Sequence, residues 1–274
     1  MIPPFVDAEF VAEHPEAMLA DVRWYLDGRD GKTAFEAGHI AGAIWVDLDH
    51  QLANHDQPAT EGRHPFPTSE DFAAAMGSLG ISNDTIVVAY DDTGGLTAGR
   101  LAVMLRMIGC DAAVLVGGLG AWTGPIETGE GRTPTPTEFT AGEWPSDRLA
   151  TADDVVEIVA QGGAAIDARS RDRFLGEVVQ IDKTPGHIPG ARSAPWSEVL
   201  GADTLPKSPA DLRDHYRHLG VDGEREVVAY CGSGVSACMN VLAMEHAGLT
   251  APRLYVASWS GWSADPNRQA ATGE

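Results

Sequence analysis

The tetrapeptide Val87-Val-Ala-Tyr90 recurs 140 positions later as Val227-Val-Ala-Tyr230, and no other feature of the 274-residue chain constrains its fold as strongly. Leu79-Gly-Ile81 answers Leu219-Gly-Val221, and Ala121-Trp122 answers Gly261-Trp262, both at the same offset of 140. Upstream, Gly38-His-Ile-Ala-Gly-Ala43 matches Gly186-His-Ile-Pro-Gly-Ala191 at 148, and Asp21-Val-Arg23 matches Asp167-Ala-Arg169 at 146. Loop lengths account for the drift, so one unit of roughly 130 residues is present twice, within the usual size of a domain.

Each unit alternates short β-rich runs with helical stretches. In the second, residues 164–168 read as a strand, 209–219 as a helix with apolar spacing and 226–230 as a buried strand. A helix over 235–247 and a strand from Arg253 follow. This alternation predicts an α/β fold, two tandem domains each with a mainly parallel sheet flanked by helices. Thr68-Ser69 and Ser208-Pro209 supply N-caps for equivalent helices that Gly80 and Gly220 terminate. Residues 123–145, rich in Thr, Pro, Gly and Glu, read as a linker, which places the boundary near 140: one domain over 1–140 and another over 141–274.

The repeats part company after the shared strand. The first continues Asp91-Asp-Thr-Gly-Gly-Leu-Thr97, the second Cys231-Gly-Ser-Gly-Val-Ser236, so Asp91 stands where Cys231 stands. A loop at the carboxyl end of a parallel strand, leading into a helix, is the usual ligand site of open α/β sheets. Its glycines let backbone N–H groups turn inward, and the helix N-terminus adds positive partial charge, so an anion such as a thiolate is favoured there.

Three chemistries use such a loop. A cysteine-dependent phosphatase needs an arginine six residues after the cysteine, and that position is Ala237. A dithiol redox motif needs a second cysteine at the position Gly234 holds. Sulfane-sulfur transfer needs one nucleophilic cysteine, a cradle for the persulfide, and no metal or organic cofactor. Only the last is compatible with the loop.

The bulk properties agree. A net charge of -21 with no cluster of Lys and Arg makes nucleic acid and anionic membrane surfaces poor partners, and an anionic substrate needs locally placed cations or N–H groups. No apolar run approaches the roughly 20 residues that span a bilayer, and the N-terminal Met1-Ile-Pro-Pro-Phe-Val-Asp does not read as a signal peptide. Three cysteines, Cys110, Cys231 and Cys238, show no disulfide-framework spacing; a cytoplasmic protein is the expectation. Cys231 and Cys238, about two helical turns apart, are too distant for a bridge.

Motifs spread over essentially the whole chain resemble the tandem-domain rhodaneses, in the branch containing 3-mercaptopyruvate and thiosulfate sulfurtransferases. They include Trp24-Tyr-Leu, Gly38-His-Ile-Ala-Gly-Ala, Gly117-Gly-Leu-Gly-Ala-Trp, Arg173-Phe-Leu-Gly-Glu, Gly186-His-Ile-Pro-Gly-Ala, Cys231-Gly-Ser-Gly-Val-Ser and Ser258-Trp-Ser-Gly-Trp. The resemblance implies a silent first domain and a catalytic second one, in which Cys231 carries the sulfur. It implies that Ser233, His64 and Asp49 assist sulfur abstraction and that Arg173 binds a donor carboxylate. The N–H groups of Gly232, Ser233, Gly234, Val235 and Ser236 are then expected to cradle the anion. The Cys-Gly-Ser-Gly-Val loop leans toward mercaptopyruvate over thiosulfate as donor. A second family arginine is missing from Val178-Val-Gln-Ile-Asp-Lys183, where Lys183 stands as a partial substitute. Small-molecule donors, a thiol or cyanide acceptor and a thioredoxin-like reductant are the implied partners, and no cofactor is.

Ordinary alternatives stand beside these roles. His64 could be a loop histidine, Asp49 a solvated turn residue, Ser233 a locally bonded hydroxyl, and Arg173 a surface partner of Asp172 or Glu177. A non-catalytic binding module on the same scaffold is the rival reading, and the intact Cys231 loop speaks against it. His39 with His187, and Asp21-Arg23 with Asp167-Arg169, recur in both domains and so read as structural. Trp122 and Trp262 read as core, with Trp259 and Trp262 also able to wall a pocket; Cys110 and Cys238 read as buried.

Overall fold

The computed structural model describes residues 1–274 except Gln180, Asp182, Lys183 and Asp222, so the expectation placed on Lys183 lies outside the described residues. Two compact units emerge. The first comprises residues 1–54 and 66–144, the second residues 55–65 and 145–274.

In the first unit, strands β1 (Phe5–Val6), β2 (Met18–Asp21), β4 (Ile44–Trp45), β5 (Val87–Tyr90) and β6 (Ala112–Leu115) form one parallel sheet in the order β1-β6-β5-β2-β4. The short β3 (His39–Ile40) pairs antiparallel with β7 (Ile126–Glu127). The second unit repeats the centre of this plan with β8 (Ala164–Asp167), β9 (Arg192–Ser193), β10 (Val227–Tyr230) and β11 (Arg253–Leu254), all parallel in the order β11-β10-β8-β9. The repeated Val-Val-Ala-Tyr strand is central and fully buried in both, as continuous β-branched and aromatic runs require when helices cover both faces. Thr68 and Ser208 accept the N–H groups of Asp71 and Asp211 as N-caps, and Gly80 and Gly220 leave those helices with positive φ.

The repeated polar motifs are internal scaffolding. Arg23 and Arg169 each fork onto the aspartate two residues before, and each also donates to a glycine carbonyl, Gly38 or Gly186. The Tyr90 and Tyr230 hydroxyls accept the N–H groups of Ile40 and Ile188, and burial pushes both phenols well above their ordinary range. His39 and His187 are buried and stack on Phe35 and Phe174, bonding through Nδ1 to the carbonyls of those same phenylalanines.

Of residues 123–145, expected as a linker, 123–144 are instead held on the first unit. β7 pairs there, Thr137 donates to the Gly77 carbonyl, and buried Phe139 packs edge-on against Phe72. Trp144 closes the unit by packing on Phe66 and Phe72 while its indole donates to the Pro67 carbonyl. The chain therefore changes unit at Trp144–Pro145. No helix among the described residues is long and apolar enough to cross a membrane.

Candidate active site

Cys231 follows β10 directly and is 2% exposed, at the start of a loop that runs into the helix Ala237–His246. The loop is pinned from behind. The Cys231 and Gly232 carbonyls accept the N–H groups of Trp259 and Ser260, and the Cys231 N–H donates to the buried Ser258 hydroxyl at 3.1 Å. Cys238, on the first turn of the helix, donates its thiol to the Gly234 carbonyl. With these carbonyls bound outward, Gly234 sits at positive φ and its N–H points inward, 3.1 Å from Cys231 Sγ. Val235 is buried and Ser236 half-buried as the loop enters the helix.

Two further predicted residues meet at the loop, one from within it and one from a distant segment. Ser233, 8% exposed, places its hydroxyl 2.8 Å from His64 Nδ1, in a hydrogen bond whose donor depends on the imidazole tautomer. His64 is itself buried, with His55 edge-on to it at a ring separation of 5.8 Å. Both histidines belong to residues 55–65, which fold with the second unit although the chain on either side of them belongs to the first. Two glycines seat that segment. A Cβ on Gly62 would stand 2.5 Å from the Ala257 carbonyl oxygen, and one on Gly261 only 2.4 Å from that of Thr60.

Arg173 arrives from the short helix Arg171–Leu175, which His187 anchors through the next residue, Phe174. The matching residue before Phe35 in the first unit is Ala34, so the shared histidine–phenylalanine anchor presents a cation in one repeat only. Asp172 accepts the Arg173 N–H, and hydrogen bonds from Ser170 and that N–H hold its carboxyl below the ordinary carboxylate range. The Arg173 guanidinium reaches Gly232, whose Cβ, were there one, would lie 3.1 Å from Nη2.

That same point lies 3.0 Å from Nη2 of Arg63. Sequence reasoning misses Arg63, for which the only hint is its position next to His64. Asp49 stands in the first unit, on the helical turn Leu48–Gln51, and accepts the Trp24 indole N–H at 2.8 Å. Trp259 and Trp262 are buried, Trp259 under the Arg169 guanidinium and Trp262 bonded to the Gln269 carbonyl; Trp122 is half-buried.

The equivalent loop of the first unit shows what this backbone holds. The Asp91 carboxylate accepts the N–H groups of Thr93, Gly95, Thr97 and Ala98 and the Thr97 hydroxyl, at 2.8–3.0 Å. The loop is an anion cradle, and in that unit the protein's own side chain fills it.

The rhodanese-like domain model matches residues 9–125 and again 151–265. A Pseudomonas aeruginosa protein provisionally named a 3-mercaptopyruvate sulfurtransferase is 37% identical over 269 residues, covering 95% of this chain and 94% of its own. A Mycobacterium tuberculosis protein provisionally named a thiosulfate sulfurtransferase is 37% identical over 263 residues, covering 93% and 90%. The solved structure of the 3-mercaptopyruvate sulfurtransferase SseA from Escherichia coli superposes with a TM-score of 0.81 at 30% identity, covering 94% of this chain and 99% of that one.

Proposed function

This chain belongs to the rhodanese-like family, whose domain it carries twice, and on that premise we propose that Cys231 takes sulfur from a small anionic donor as a persulfide and passes it to a thiol or to cyanide. The observation that carries the reading is Cys231 Sγ, buried in a loop whose Gly234 N–H faces it and beside a Ser233–His64 pair.

With 3-mercaptopyruvate, the Cys231 thiolate attacks the donor sulfur and the carbon–sulfur bond breaks. The electron pair leaves with the pyruvate enolate, the donor thiol proton ends on its carbon, and Cys231 keeps the sulfur as a persulfide anion. Ser233 and His64 handle that proton; Asp49 completes the set by resemblance to the family. With thiosulfate the sulfur–sulfur bond breaks and sulfite leaves, with no proton to move. Cyanide then removes the outer sulfur as thiocyanate, and a thiol removes it as a new persulfide. A thioredoxin-like reductant is a suitable thiol, and the three buried cysteines suit a reducing cytoplasm.

Mercaptopyruvate is the donor we favour, because the Ser233–His64 pair serves a donor that carries a proton. A thiosulfate-preferring enzyme is the second reading, favoured by the M. tuberculosis relative. Mass spectrometry after incubation with each donor tests the proposal. One added sulfur on Cys231, absent in Cys231→Ser, is expected; a Cys231→Ser protein that still turns over refutes it.

A further inference from the structure

Two guanidinium groups approach the loop, not one. Nη2 of Arg63 and Nη2 of Arg173 stand 3.0 and 3.1 Å from the point where a Cβ of Gly232, the residue next to the nucleophile, would lie. Their approach to Gly232 is built into the backbone. The Ser260 hydroxyl accepts the Arg63 N–H at 3.1 Å, while the Ser260 N–H donates to the Gly232 carbonyl at 3.0 Å, so one residue holds the two backbones in register. Gly62 and Gly261 then bring the segment close enough for that to happen. A Cβ at 232 would crowd both, so a glycine there lets the two cations come up to the loop together.

We infer that Arg63 is the second arm of a clamp which, with Arg173, grips the anionic head of the sulfur donor over Gly232. This deepens the sulfur-transfer reading and rests on it for the identity of the anion. It also supplies a second arginine, which 178–183 lacks, from a part of the chain more than a hundred residues away. A chain of net charge -21 repels a small anion at long range, so two guanidinium groups beside Gly232 supply the local attraction that an anionic donor needs.

Alkylation tests this without using sulfur transfer. Iodoacetate and iodoacetamide both convert the Cys231 thiolate to a thioether with release of iodide, and they differ in one carboxylate. Rates are read by mass spectrometry on the peptide containing Cys231, in the full chain, for the wild type, Arg63→Ala, Arg63→Lys and Arg173→Ala. The iodoacetate-to-iodoacetamide rate ratio is expected to fall about tenfold in Arg63→Ala and in Arg173→Ala, the loss of one charge-assisted hydrogen bond. Iodoacetamide, which senses only the loss of a cation beside the thiolate, should slow less than iodoacetate, and the ratio for Arg63→Lys should lie between. An unchanged ratio in Arg63→Ala overturns the inference, as does an equal fall in both rates, which assigns Arg63 to loop placement. A lowered ratio in a protein that takes up no sulfur from either donor keeps the clamp and refutes the sulfur-transfer reading alone.

Discussion

His64 Nδ1 lies 2.8 Å from the Ser233 hydroxyl although 169 positions separate the two residues in the chain. A buried pair of this kind can carry a proton, and the two donors differ in whether one must be carried. Ser233→Ala and His64→Asn are each expected to lower kcat with 3-mercaptopyruvate by about 10²-fold. With thiosulfate, which brings no proton, the loss should stay below about tenfold. Because the two side chains act as a unit, the double variant should be no slower than the worse single one. Equal losses with both donors would assign the pair to loop positioning rather than proton handling.

The seat of residues 55–65 depends on two missing side chains. Gly62, at φ +86°, has the Ala257 carbonyl where a Cβ would go, and Gly261 has that of Thr60. Gly62→Ala and Gly261→Ala therefore push His64 and Arg63 away from the loop, and a displacement near 1 Å lowers kcat/KM by about 10²-fold. Gly109 provides the control. It shares the φ of +86° but has nothing within 4 Å of its would-be Cβ, so Gly109→Ala carries the backbone strain without the collision. Its kcat/KM should match the wild type, and a loss equal to that of Gly62→Ala would mean that strain, not seating, matters.

The offset between Val87-Val-Ala-Tyr90 and Val227-Val-Ala-Tyr230 made the two parallel sheets, their order of helices and the Asp91–Cys231 exchange legible in the sequence, because buried strands and polar anchors leave periodic or repeated words. Residues 55–65 leave none. They have no apolar period, and their seat rests on the absence of a Cβ at Gly62 and Gly261, a complementarity visible only when distant segments are brought together. Arg63 is hidden for the same reason. Residues 123–145 read as a linker because Trp144 and Phe139 anchor them singly, too sparsely to register as a pattern.

Ser258 is held at φ +54°, where the matching residue of the first unit, Gly118, has φ +53°. A serine there is strained by about 1 kcal/mol, and its hydroxyl compensates by accepting the Cys231 N–H. Ser258→Ala keeps the strain and leaves that buried N–H without its acceptor, so a loss of about 1–3 kcal/mol is expected. Ser258→Gly removes the acceptor but also the strain, and should be less destabilised than Ser258→Ala by about 1 kcal/mol. Chemical denaturation of the two variants side by side checks the order; the reverse order would show that the hydroxyl is not what the strained backbone serves.

Asp91 separates the cradle from the clamp. Five donors converge on its carboxylate, so replacing it by alanine leaves buried N–H groups facing one another and should destabilise the first unit by about 3 kcal/mol or more. Asp91→Cys is the more informative change, because it places a thiol at the carboxyl end of β5 in a loop with the same inward N–H groups. If the cradle alone made a sulfur acceptor, this variant would load two sulfurs per chain. The position that supplies Arg173 in the second unit is Ala34 in the first, so the new thiol has no such cation to bring an anionic donor to it. Loading is therefore expected to stay at one sulfur per chain, while neutral iodoacetamide labels the Asp91→Cys variant at one site more than the wild type. A second sulfur from either donor would show that N–H groups alone suffice, and that the guanidinium groups beside Cys231 tune its donor rather than admit it.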